Sequence, residues 1–144
     1  MLQNLAVGSC LVALTVLIHT VGLILVAAAI PPLARWLRLY NHGIGRTLVM
    51  AGTVLGILGL LTLEVWSWAI AYVGLGATYY LSDALFLSTA MFSTLGYGEI
   101  PVAPAWHLLT ALEGINGFLM IGWSTAFLVA AATRHGPFRQ GEHF

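Results

Sequence analysis

Lysine is absent from this sequence, and charge of either sign is scarce. Charged residues make up 7% of the 144 residues, whereas soluble domains carry about 25%. The formal net charge is zero, so the composition does not suit a nucleic-acid-binding surface. Hydrophobic residues reach 60%, which is more apolar surface than a soluble domain needs for its core. We therefore expect an integral membrane protein that has the lipid bilayer as its solvent.

Cysteine is almost absent too, which excludes a disulfide-stabilised fold. Cys10 is the single cysteine and lies within an apolar segment, so the chain offers it no disulfide partner. The same count argues against a metal site built from thiolates. We expect no cofactor.

Three apolar segments are long enough to cross a bilayer. They cover about residues 5–30, 48–76 and 107–133, and each exceeds the ~20 residues that a spanning helix needs. A fourth apolar segment, residues 83–92, is too short to cross and is typical of a re-entrant or interfacial helix. A cleaved signal peptide is an alternative for residues 1–30, but the missing positive N-terminal region and the long apolar stretch favour a retained helix.

The arginines predict the orientation in the membrane. Three of them lie in residues 31–47 and two in the tail, residues 134–144, whereas residues 77–106 contain none. Because basic residues accumulate on the cytoplasmic side, we expect residues 31–47 and the C-terminus to be cytoplasmic. The N-terminus and residues 77–106 then lie outside.

A glycine-rich stretch, "STLGYGE" at residues 93–99, follows the short apolar segment. An unpaired carbonyl in hydrocarbon costs several kcal/mol, so the stretch is either a surface turn or a place where bare carbonyls bind something. Gly96 and Gly98 permit backbone angles that point successive carbonyls the same way. We expect a helix capped by Ser82 or Asp83 whose negative C-terminal end faces the membrane centre. Together with an extended "TLGYG", this arrangement would form a site for a dehydrated cation.

These residues resemble a known pattern, the "TVGYG" selectivity filter of the pore-loop potassium channel superfamily. "ALFLSTAMFSTLGYGEIPV" aligns without a gap with the pore helix and filter of that superfamily. "LEVWSWAIAY" and "ALEGINGFLMIGWSTAFL" are similar to small bacterial channel proteins that have one extra N-terminal helix. The resemblance covers about residues 48–133. It implies a passive homotetrameric channel of a bacterial inner membrane, and not an enzyme.

The resemblance also implies roles for the filter residues. K⁺ would be bound by the carbonyls of Thr94, Leu95, Gly96 and Tyr97, with the Thr94 hydroxyl completing the innermost site. Gly98 would end the filter, and Glu99 would stand at the outer mouth. Leu95 replaces the commoner valine, which keeps the carbonyl but changes the packing behind the filter.

The last apolar segment carries the predicted cavity and gate. Its residues on one helical face, which the resemblance places below the filter, are Phe118, Ile121, Thr125 and Val129. Gly117 and Gly122 are candidate hinges, with close helix packing as the alternative.

Two carboxylates lie within apolar segments, where each is a functional candidate. We expect Glu113 to face the pore helix and support the filter, with Ser88, Thr89 or Trp66 as its partner. Glu64 is a second candidate for filter support.

Other residues receive structural interpretations. His19 is expected to hydrogen-bond Thr15 or another helix, and a glycine stripe at 52, 56 and 59 to pack against the first helix. An aromatic belt at the outer interface is predicted from Trp66, Trp68, Tyr72, Tyr79 and Tyr80.

The predicted fold is all-α and membrane-spanning. Three transmembrane helices carry a re-entrant pore helix (83–92) and a filter (94–98) between the second and third helices. Residues 1–47 form the first helix and a cytoplasmic loop, 48–133 the pore domain and 134–144 a short tail. The partners are the bilayer and other copies of the chain, with no nucleic acid or soluble ligand. The predicted function is potassium-selective conduction; the alternatives are a weakly selective cation channel and a non-conducting protein that keeps the pore fold.

Overall fold

A computed structural model describes residues 1–36, 43–96 and 100–135. Four α-helices form in these ranges: α1 (Leu2–Trp36), α2 (Gly43–Gly74), α3 (Leu81–Phe92) and α4 (His107–His135). A single 3₁₀ turn, Pro104–Trp106, precedes α4, and no strand occurs in the described ranges. The all-helical prediction is therefore confirmed.

Three of the helices are long and apolar enough to cross a membrane. The candidate spans are Leu2–Pro32, Ile44–Gly74 and Pro104–Arg134. The twelve-residue α3 is a shorter apolar helix. Helix α1 extends beyond its predicted span, through Pro31 and Pro32 to Trp36, and α2 already begins at Gly43. Much of the predicted loop 31–47 is therefore helical.

The described residues form two compact units. The first unit comprises Met1–His19 and Leu61–Ile121. Its hydrophobic core includes Trp68, Tyr72, Leu87 and Leu109, whose side chains are almost completely buried. Because α3 contributes Ala84, Leu87 and Phe92 to this core, the short helix is an integral part of the unit.

Within this unit, Asn4 of α1 is hydrogen-bonded to the beginning of α4. Its side-chain amide donates to the Ala105 carbonyl at 2.7 Å, and its oxygen accepts from the Leu109 N–H at 3.1 Å. Leu109 is the third residue of α4, and the N–H groups of a first helical turn have no partner within their own helix. Asn4 therefore caps α4 from another helix.

The second unit comprises Thr20–Leu60 and Gly122–Phe144. In it, a methyl group added at Gly56 would lie 3.2 Å from Val26, and one added at Gly52 would lie 3.8 Å from Ile30. These contacts agree with the prediction that the glycine stripe packs against the first helix. Gly59 has no atom within 4 Å of such a methyl group, so it does not belong to this packing surface.

Two predictions on side chains are wrong. Trp68 and Tyr72 do not belong to an aromatic belt, because both are completely buried in the core, whereas Trp66, Tyr79 and Tyr80 are exposed. The predicted cap of α3 is also wrong: the N-cap is Tyr80 and no side chain caps the helix. The Ser82 hydroxyl bonds the Asp83 carboxylate instead, at 3.3 Å.

Candidate functional site

Helix α3 is too short to cross a membrane, and its buried residues Ala84, Leu87 and Phe92 belong to the core of the first unit. Its twelve residues give about 18 Å at 1.5 Å per residue, against a hydrocarbon thickness of about 30 Å. The helix ends at Phe92, followed by the C-cap Ser93, as the sequence predicts. Its C-terminal end points the negative side of the helix dipole at residues 94–96.

A hydrogen-bonded turn closes this end of α3. The N–H of Thr94 donates to the Met91 carbonyl at 3.0 Å, and the N–H of Leu95 donates to the Ala90 carbonyl at 2.9 Å. These two bonds form a Schellman motif with Thr94 at the C′ position. The N–H of Gly96 donates to the Ala90 carbonyl as well, at 3.1 Å.

Thr94 adopts a backbone conformation that β-branched residues rarely take. Its φ is +61°, and it is the one non-glycine residue with a positive φ in the described ranges. Helix α2 ends in the same motif, but there the C′ residue is Gly76, with φ +67°. A β-branched residue in this region carries strain of about 1–3 kcal/mol, which proteins retain mainly at functional sites.

The first residues of the predicted filter therefore differ in backbone conformation from the prediction. Thr94 lies in a left-handed turn rather than in an extended strand, and Gly96 also has a left-handed φ, +66°. Thr94, Leu95 and Gly96 are exposed on the chain. The remaining predicted site residues of this stretch, Tyr97, Gly98 and Glu99, lie outside the described residues.

A buried carboxylate, Glu113 of α4, connects three helices behind this turn. The Tyr72 hydroxyl of α2 donates to its Oε2, and the Ser88 hydroxyl of α3 lies 2.5 Å from its Oε1. All three side chains are completely buried. Ser88 is one of the three partners that the sequence suggests, whereas Thr89 bonds the Leu85 carbonyl and Trp66 is exposed.

The hydrogen bonds around Ser88 constrain the proton arrangement at Glu113. Ser88 Oγ lies 2.9 Å from the Val65 carbonyl as well as 2.5 Å from Glu113 Oε1, yet a hydroxyl has one proton to donate. Both contacts are hydrogen bonds at once when Glu113 is protonated at Oε1 and donates to Ser88, which then donates to Val65. In that arrangement Tyr72 still donates to Oε2.

Comparison with known proteins places the chain in a family. A family model described as an ion channel matches residues 58–134, which is more than half of the 144-residue chain. The chain belongs to this ion-channel family. No curated protein and no solved structure matches it. The matched segment begins in α2, includes α3 with the turn after it, and ends in the last turn of α4.

In this channel, sequence reasoning missed the role of Tyr72. Glu64, Trp68 and Tyr72 follow one another at intervals of four residues on α2, and all three are completely buried. A stripe with this spacing is one helical face, and a carboxylate within it is a sign that the face is turned to the protein rather than to lipid. The spacing was available in the sequence, but the aromatic residues suggested an interface instead.

Gly117 of the channel lies against the end of α3. A methyl group added there would lie 2.0 Å from the Phe92 carbonyl oxygen, and one at Gly114 would lie 3.5 Å from the Met91 carbonyl oxygen. Glycine at 117 thus permits α4 to approach the last carbonyls of α3, which favours the packing interpretation. Among the described residues, no atom lies within 4 Å of such a methyl group at Gly122, so none of their packing contacts accounts for this glycine.

The residues predicted to line the cavity are exposed on the single chain. The exposed fraction is 68% for Phe118, 37% for Ile121 and 49% for Val129, and Thr125 is exposed too. The described residues therefore leave the apolar side chains at these positions only partly covered.

Glu64 is hydrogen-bonded to the first helix, and among the described residues no hydrogen bond joins it to α3. Its Oε1 is 2.8 Å from Nδ1 of His19, and both side chains are completely buried. This agrees with the prediction of a hydrogen bond from His19 to another helix. Nearby on α1, the Thr15 hydroxyl lies 3.2 Å from Oδ1 of Asn116 on α4. Helix α1 is therefore bound to the matched channel segment by buried polar contacts.

Proposed function

We propose that the chain is the subunit of a potassium-selective channel in which K⁺ is bound by backbone carbonyls of Thr94 to Gly98. The observation that carries this proposal is the position of "TLGYG" at the C-terminal end of a helix too short to cross a membrane. The negative end of the helix dipole favours a cation at this position, and a glycine-rich backbone can present several carbonyls to it. The outer mouth is assigned to Glu99.

The proposed assembly is a homotetramer. One chain supplies one strand of carbonyls, which cannot replace the hydration shell of an ion, whereas closed rotational symmetry brings several strands together. The exposure of Thr94, Leu95 and Gly96 supports this proposal, as does the exposure of the apolar face of α4 that starts at Phe118. Phe118, Ile121, Thr125 and Val129 line the proposed cavity below the filter.

Glu113 is proposed as a positioning residue for the filter. It joins Tyr72 and Ser88, so it holds α3 against α2 and α4 about one turn before the helix ends. A pore helix that shifts would move the carbonyls that follow it, and ion selectivity depends on their positions. Glu64 lacks such a contact with α3, and its proposed support of the filter is therefore indirect, through the packing of α1 on the pore domain.

The proposed location is a bacterial inner membrane, with the N-terminus outside and the C-terminus in the cytoplasm. The arginines support this orientation, because all five lie in residues 31–47 and 134–144. The filter then opens to the outside. Residues 48–133 form the pore domain in this proposal, and Gly122 is retained as the candidate hinge of the gate.

Selectivity is tested by flux through the purified protein in liposomes. We expect a reversal potential that follows the K⁺ gradient and not the Na⁺ gradient. Gly96→Ala should abolish this flux, because φ of +66° is unfavourable for a residue with a Cβ. The matched control is Gly59→Ala, since Gly59 is helical and has free space around it. Selective flux through Gly96→Ala would show that ions travel elsewhere.

The same measurement distinguishes a second candidate, a weakly selective cation channel. Leu95 favours this alternative, because it stands where the commoner filter has valine. A reversal potential midway between the K⁺ and Na⁺ equilibrium values would support it. Absence of any flux from a correctly assembled tetramer would instead indicate a non-conducting protein.

A further inference from the structure

A pocket in the second unit has no role in the proposed ion pathway. Its cavity volume is about 130 Å³, and it is lined by α1, α2 and α4. Apolar side chains form most of its wall, among them Val26 and Ile30 of α1 and Phe127 of α4. Arg134 is the charged residue in the lining. Thr53 also lines it, but its hydroxyl already donates to the Val49 carbonyl at 2.9 Å.

The described residues of the unit around the pocket carry charge of one sign only. All five basic residues of the chain are arginines that fall within Thr20–Leu60 and Gly122–Phe144, the two segments of this unit. Its described residues, 20–36, 43–60 and 122–135, contain no Asp or Glu. Arg134 is exposed in the last turn of α4, at the end of a candidate span. An anion near the pocket therefore meets attraction without a competing carboxylate among the described residues of this unit.

The position of the pocket indicates what kind of anion can reach it. Every residue that lines it belongs to one of the three candidate membrane spans. A ligand in its apolar part must therefore come from the hydrocarbon layer, while Arg134 at the end of a span lies near the headgroups. An apolar chain joined to a phosphate fits both conditions, and basic pockets between membrane helices bind such headgroups. A guanidinium pairs with phosphate through two parallel hydrogen bonds.

We propose that this pocket binds an anionic glycerophospholipid, with an acyl chain against Val26, Ile30 and Phe127 and the phosphate on Arg134. The volume suits part of one acyl chain and not a whole lipid, since it lies below the roughly 300–1,000 Å³ of sites that enclose drug-sized molecules. The proposal is independent of ion selectivity. A lipid that binds the folded chain also stabilises it by mass action.

Headgroup preference is the first test. The full chain, purified in a neutral detergent, is mixed with equal amounts of phosphatidylglycerol and phosphatidylcholine that have the same acyl chains, and retained lipid is measured by native mass spectrometry. We expect about fivefold greater retention of phosphatidylglycerol, the factor that one arginine near a membrane surface provides. Arg134→Gln should remove the preference. Arg46→Gln is the matched control, because Arg46 is an exposed arginine of the same unit that does not line the pocket.

Filling the pocket is the second test. Ala27→Leu adds a side chain to the lining and should lower the retention of both lipids, whereas Ala28→Leu, at an exposed position outside the lining, should change neither. Equal retention of the two lipids by the unmodified chain would overturn the proposal without any variant. Equal loss of preference in Arg134→Gln and Arg46→Gln would overturn it as well, since the attraction would then be diffuse. Equal effects of Ala27→Leu and Ala28→Leu would exclude the pocket as the place of binding.

Discussion

Glu113 offers the sharpest test of how the short helix is held. Glu113→Gln should leave the protein nearly unchanged, because a glutamine has one donor and one acceptor group at the positions that the bonds require. Its amide can donate to Ser88, which then donates to the Val65 carbonyl, while its oxygen accepts from Tyr72. We expect a change in the free energy of unfolding of less than about 1 kcal/mol.

Glu113→Leu should be clearly worse, although leucine is similar in size and its apolar side chain suits a buried position. Interhelical hydrogen bonds in membrane proteins contribute about 0.6 kcal/mol on average, and about 1.7 at most. The substitution removes two of them and leaves the Tyr72 hydroxyl buried without a partner, whereas Ser88 keeps Val65. The expected loss is about 1–3 kcal/mol in the free energy of unfolding.

A double-mutant cycle separates this mechanism from a general packing defect. Tyr72→Phe alone should destabilise the protein, but in the Glu113→Leu background it should be neutral or stabilising, because it removes the hydroxyl that lost its partner. The assay is unfolding of the detergent-solubilised protein in a denaturing-detergent titration, followed by K⁺ and Na⁺ flux in liposomes for each variant. Two results would refute the reasoning: Glu113→Gln as damaging as Glu113→Leu, or effects of Tyr72→Phe and Glu113→Leu that simply add.

Three further predictions concern the turn, the α3–α4 contact and the mouth. Thr94→Gly should stabilise the fold by about 0.5–1 kcal/mol, because relief of the left-handed strain exceeds the entropy cost of glycine. It should nevertheless weaken K⁺ flux, because it removes the hydroxyl. A loss of stability in thermal unfolding would contradict the strain argument. Gly117→Ala should lower the free energy of unfolding by about 1–3 kcal/mol, since its methyl group would lie 2.0 Å from a carbonyl oxygen, while Gly122→Ala should lower it far less. Equal losses in unfolding titrations would exclude the close contact. Glu99→Gln should lower single-channel conductance at low salt and matter less at high salt, because the field of the Glu99 carboxylate is screened over about 8 Å at physiological ionic strength. An effect independent of salt would indicate that Glu99 supports the filter structure instead.

The arrangement of α1 has a consequence for the channel segment. The family match begins at residue 58, so α1 lies outside it. Nevertheless His19 contacts the buried Glu64, and Asn4 caps α4 at Leu109. Both contacts satisfy polar groups of the matched segment that would otherwise lack these partners. The first half of α1, up to His19, is therefore part of the packed first unit.

The membrane spans and the family of this protein could be inferred from the sequence alone. Bilayer length requires about 20 apolar residues, so the three spans and the shorter α3 could be recognised by counting. The family could be recognised because "TLGYG" has to keep a particular backbone, and few residue types permit it. The partner of Glu113 could be narrowed to Ser88, Thr89 or Trp66, since a carboxylate in hydrocarbon needs a polar partner, and the structure selects Ser88.

Other features were decided only by the tertiary structure. Tyr72 is equally suited to an interface and to a buried hydrogen bond, and the packing of α2 against α3 and α4 placed its hydroxyl on Glu113. Glu64 could have faced the filter, but contact with α1 gave it His19 as its partner. The left-handed Thr94 contradicts the local preference of a β-branched residue, because the two hydrogen bonds that close α3 require that conformation at the C′ position. Local sequence sets the helices and their apolar character, whereas the partner of each buried polar group depends on residues distant in sequence, and these meet only when the helices pack.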